Sequence, residues 1–191
     1  IFSHSRKTKM NIIVKPYGCD LCYCRPDTTW ERENKDLYSP ECVNEWYWAP
    51  VMFVRVSKAG KCINPKFASR YYDAFNFGAL LYIGGQPTAF ASCADHSSIL
   101  PSPLYNPLVM EDGENSVEYY KNEAPLFKTC CDKGKIEDSL CKASVLTSLR
   151  IGDFMAVELA EPEPLASVSD SKASFTAVFC EKEIFGFDII F

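Results

Sequence analysis

The chain has 191 residues, of which 47% are hydrophobic and 14% aromatic, enough for one domain with a substantial buried core. Its net charge is −5, which disfavours the basic surface that nucleic acid or anionic membranes need. No apolar run approaches the roughly 18 residues of a membrane span.

Residues 1–9, "IFSHSRKTK", are basic and lack the apolar core of a signal peptide. They read as an upstream extension or tag remnant, with Met10 opening a single domain over 10–191. Met10–Val14 is a strand candidate. A turn-rich region follows, punctuated by Pro16, Gly18, Pro26 and Pro40. It carries Cys19, Cys22 and Cys24, which with Cys42 offer a CxxC-based zinc set; thiols in a loop are the alternative. Ten cysteines without an export signal fit free thiols in a reducing compartment, hence a cytoplasmic protein.

The segment "NEWYWAPVMFVRVSKAGKC" reads as a buried strand around Val51–Val56, with no charge between Glu45 and Arg55. "NPKFASRYYDAF" predicts a helix, with Asn64 as N-cap and Pro65 at its first position. Phe67 and Tyr71 share one face, as do Ala68 and Tyr72. Phe77–Ile83 is a buried strand ended by Gly84-Gly85. "ADHSS" supplies Asp95, His96 and Ser98, too close in sequence for a triad but suited to ligand contact. Leu108–Met110 and Val117–Lys121 are strands on either side of the acidic turn "EDGEN", which lacks a calcium-loop pattern. A second helix is expected over Glu137–Thr147, with Leu140, Ser144 and Val145 facing inward. Phe154–Leu159, Ser174–Phe179 and Ile184–Phe191 are strands, and "ELAEPEPLASVSDS" an exposed loop. The expected fold is mixed α/β and mostly β, with short peripheral helices.

The block "FVRVSKAGKCINPKFASRYYDAFNFGALL" resembles the fumarylacetoacetate hydrolase family. "NIIV", "RPDTTW", "CADHSS", "VEYYKNEAPLF" and "SLRIGDFMAV" are similar to family segments in the same order. The resemblance implies a β roll or sandwich and a homodimer. It implies hydrolysis, isomerisation or decarboxylation beside a carbonyl, in acylpyruvates or oxaloacetate-like acids. It also implies Mg²⁺ or Mn²⁺ held by carboxylates, because a hard cation needs anionic oxygens.

At the positions the resemblance assigns, this chain departs from the family. Tyr47 stands for the strand histidine, Ala49 and Val51 for its two glutamates, Leu80 for the aspartate and Ser92 for the lysine. Gly84 and Pro87 replace an arginine and a glutamine, with Gln86 one place off. Glu158-Leu159-Ala160 replaces a "GTP" turn. Arg25 stands where the family has a lysine and is suited to an anion. The leading expectation is therefore a family member without metal or metal-dependent activity, keeping a small-molecule or scaffold role and binding neither nucleic acid nor membrane. Whether the chain is an enzyme stays open. One alternative is an active hydrolase, isomerase or decarboxylase whose site has moved to acids such as Asp95 and Glu158. The other is a zinc-stabilised interaction module built on the N-terminal cysteines.

Overall fold

The structure is a computed structural model that describes residues 10–86, 88–110 and 115–191. The extension 1–9, residues 111–114 of the acidic turn, and Pro87 lie outside them.

In chain order, β1 (Ile12–Lys15), β2 (Tyr23–Arg25), β3 (Trp30–Glu31) and β4 (Leu37–Tyr38) precede the long β5 (Glu45–Val56) and β6 (Tyr72–Ile83). A short α1 (Thr88–Ala91) and β7 (Ser98–Ile99) follow, then the hairpin β8 (Ser116–Lys121) and β9 (Ala124–Cys130). The 14-residue α2 (Lys133–Leu146) leads to β10 (Phe154–Glu158), β11 (Glu163–Ser167), β12 (Lys172–Phe179) and β13 (Lys182–Ile190). They form two sheets. The first runs β2-β1-β10-β5-β6-β7-β3, with β11 also paired to β5. The second runs β4-β13-β12-β8-β9. The architecture is the mostly β, mixed fold expected.

Period-2 alternation splits β5 between two cores. Trp46, Trp48, Met52 and Val54 face the second sheet, where Trp48 packs 5.1 Å from Tyr119 and 5.0 Å from Phe175 between ring centroids. Ala49, Val51 and Phe53 face the opposite way, into a smaller core with Ile12, Val14, Leu80 and Ala156. Pro50 sits mid-strand without an N–H to donate. Its carbonyl accepts the Leu159 N–H at 2.8 Å, on the side where β10 ends at Glu158 and β11 has not yet begun. The missing donor therefore faces a gap in the sheet, where a proline is tolerated.

Several expectations need correction. β5 starts at Glu45, six residues before Val51. The predicted helix at Asn64 is only a six-residue 3-10 turn, Pro65–Arg70, although Asn64 caps it through Oδ1 and the Lys66 N–H at 3.0 Å. From Tyr72 the chain is extended, because pairing with β5 outweighs a weak local helix signal. Leu108–Met110 belongs to another 3-10 turn. α2 begins four residues before Glu137, capped by Asp132, and Val145 is exposed while Leu140 and Ser144 are buried. The acidic-proline loop contains β11, whose Leu165 and Ala166 are buried.

Candidate functional site

Tyr47, Ala49 and Val51 lie on one face of β5. Cross-strand register sets Tyr82 opposite Tyr47, Leu80 opposite Ala49 and Gly78 opposite Val51. Ala49, Val51 and Leu80 are 0% exposed. They give this face a continuous hydrocarbon layer at the strand positions where the resemblance expects carboxylates. On the other side of β5, Glu158 pairs with Val51 in register, so its carboxylate enters the same face one strand over.

Beside this layer, at the gap between β10 and β11, lies a pocket of about 280 Å³. Tyr17, Tyr23, Tyr47 and Tyr82 line it together with Ile83, Gly84, Ala91, Glu158 and Pro162. Gly84 is required at its rim: a Cβ there would come within 2.9 Å of both Glu45 and the Tyr47 ring. Polar groups gather at one end. The Tyr82 hydroxyl donates to Glu158 Oε1, the Tyr17 N–H donates to Glu158 Oε2 at 2.9 Å, and the Tyr23 and Tyr82 hydroxyls lie 2.8 Å apart. Glu158 is 5% exposed. Burial raises its pKa; the Tyr82 and Tyr17 hydrogen bonds and the Arg25 and Lys15 charges pull it back only partly. Burial also lifts the Tyr82 phenol well above its ordinary range.

Arg25 is 1% exposed and stacks on the Tyr82 ring, its guanidinium carbon 4.4 Å from the centroid. Its Nη atoms donate to the Leu81 and Ser97 carbonyls at 3.0 and 3.2 Å, and to the Ser97 and Ser98 hydroxyls at 3.1 and 3.3 Å. Nε has no partner. Of the four residues expected to contact a ligand, Arg25 and Ser98 are thus bonded to each other beneath the pocket. Asp95 and His96 are exposed and line a different cavity of about 500 Å³, where His96 Nδ1 lies 2.8 Å from Oε2 of the buried Glu31. Ser92 is buried and donates to the Ala89 carbonyl at 3.2 Å.

Mg²⁺ and Mn²⁺ require several oxygen ligands, carboxylates above all. The pocket supplies one carboxylate, already engaged by Tyr82 and Tyr17, so the residues present do not fit such an ion. Among the described residues no group of three or more His, Cys, Asp or Glu is placed to hold a metal. Among the described residues Cys19, Cys22, Cys24 and Cys42 form no group placed to hold a metal, and each is a free thiol, so the zinc alternative gains no support.

Sequence reasoning did not single out Tyr17, Tyr23 or Tyr82. The signal for Tyr82 was available, because a tyrosine inside an otherwise apolar buried run needs a partner for its hydroxyl. Tyr17 and Tyr23 lie in the irregular segment, where no periodicity indicates a facing surface.

No protein-family sequence model matches the chain, and neither does any curated protein sequence. Solved structures do match. A Yersinia pestis CO92 protein named for the fumarylacetoacetate hydrolase family aligns with a TM-score of 0.75 at 15% identity, over 95% of this chain and 92% of that one. Maleylpyruvate hydrolase from Sphingobium sp. SYK-6 aligns with a TM-score of 0.77 at 14% identity, over 95% and 70%. Fumarylpyruvate hydrolase from Pseudomonas aeruginosa, in complex with Mn²⁺ and pyruvate, aligns with a TM-score of 0.73 at 10% identity, over 98% and 99%. At these identities the likeness is one of fold.

Proposed function

We propose that this chain, which has the fold of the fumarylacetoacetate hydrolase family, is a divergent member that has lost metal-dependent carbon–carbon chemistry. In this reading it retains a small-molecule binding role in the tyrosine-lined pocket. One observation carries the reading: the hydrocarbon layer of Ala49, Val51 and Leu80 occupies the face where the resemblance places the ligand acids. Carboxylates left there without a cation would be buried like charges, each costing several kcal/mol on the order expected for unpaired buried ions. Apolar side chains remove that cost together with the binding. The homodimer and the cytoplasmic location belong to the same reading, the first carried by the family resemblance and the second supported by the free thiols.

A panel of acylpyruvates and oxaloacetate, assayed with Mg²⁺ or Mn²⁺, tests it. The expected outcome is no turnover above the protein-free blank. Saturable turnover would contradict it. A second reading, an active enzyme with a moved site, draws support from Glu158, a buried carboxylate in the pocket. Turnover abolished by Glu158→Gln would favour that reading. Asp95 gives it no support, since it lies exposed at the other cavity.

A further inference from the structure

We propose that the tyrosine-lined pocket takes a small neutral phenol, held through its hydroxyl by the Tyr23–Tyr82–Glu158 chain. This deepens the reading above and rests on it, since a metal centre in the pocket would recruit charged oxygens instead. The walls favour a flat, largely apolar body, with tyrosine rings, Ile83, Ala91 and Pro162 around a volume of about 280 Å³. The polar end favours a hydroxyl. With Glu158 ionised, Tyr82 donates to it, so the Tyr82 oxygen accepts from Tyr23. The Tyr23 oxygen then has a lone pair left and no further partner among the described residues. With Glu158 protonated the chain can run the other way, and Tyr23 becomes an outward donor. A phenol satisfies both directions, whereas an ether or a hydrocarbon does not.

The charges around the pocket offset one another: Glu158 is opposed by Arg25 on the back of the Tyr82 ring and by Lys15 at the end of β1. A neutral hydroxyl leaves that balance undisturbed.

Calorimetric titration of the full chain with phenol, toluene and pyruvate tests the proposal. Phenol is expected to bind one to one, with toluene about tenfold weaker, the upper end of the effect of one hydrogen bond. Pyruvate is expected not to displace phenol. Tyr23→Phe is expected to lower phenol affinity to the level of toluene while leaving toluene affinity unchanged, which also shows that the variant pocket is intact. Phenol binding no tighter than toluene, unaffected by Tyr23→Phe, or absent would overturn the proposal, as would displacement by pyruvate. A parallel Mn²⁺ titration separates the two levels: saturable Mn²⁺ binding overturns the loss of the metal site, whereas failure of phenol alone overturns only the ligand class.

Discussion

Glu158 is buried at the end of a strand, hydrogen-bonded on both oxygens, and has its charge opposed by Arg25 through the Tyr82 ring. Because burial dominates, the native state holds its proton more tightly than the unfolded chain does. Stability linked to this group is fully present below the unfolded carboxylate pKa, about 4.3, and is lost as pH rises through the raised native value. Glu158→Gln removes that loss. The difference in unfolding free energy, variant minus native, is expected to grow as pH rises from about 4.3 and to level off above the native pKa. Urea denaturation at a series of pH values measures it; a pH-independent difference would show that the carboxylate is not held by burial. The sequence marked Glu158 twice, as the residue in place of a glycine-rich turn and as an acid for a moved site. What it could not show was the partner set, because Tyr17 and Tyr23 come from the irregular segment before β3 and Tyr82 from β6, far away in sequence.

At the level of elements, β5 and β6 make the site. Their register places Ala49 beside Leu80 and Tyr47 beside Tyr82, and the two tyrosines line the pocket. Gly78 keeps the neighbouring strand close: a Cβ there would lie 2.2 Å from the Ile99 carbonyl oxygen of β7. If this face retains the geometry of a metal site, Ala49→Glu, Val51→Glu and Leu80→Asp together restore its acids. The metal-free triple variant is expected to lose about 3 kcal/mol or more from uncompensated buried charge. Mn²⁺ is then expected to raise the melting temperature of the variant while leaving that of the native chain unchanged. No Mn²⁺ response in a folded variant would show that the strand positions do not converge on one ion. Part of each long strand was legible from its apolar run, Val51–Val56 and Phe77–Ile83, while the N-terminal part of each was not. The segment from Pro65 to Phe75 was not, because its four-residue spacing suits a helix until pairing with β5 imposes extension from Tyr72.

For the molecule as a whole, two sheets share a core in which Trp46 and Trp48 of β5 face Phe175 and Tyr119, while the opposite face of the same strand carries the pocket. The fold was readable because a short block, "SKAGKCINPKFASRYYD", kept its resemblance while the site strand before it did not. The short strands β2, β3 and β4 were not readable, since two or three residues of extended chain leave no periodic trace. The larger core packs on one face of β5, and the positions expected to bind an ion lie on the other, where they belong to the smaller core. Electron paramagnetic resonance of Mn²⁺ titrated into the purified native chain tests this account most directly. The full signal of free Mn²⁺ is expected from the first equivalent onward, with or without pyruvate. Loss of that signal over one equivalent, reversed by Mg²⁺, would contradict it.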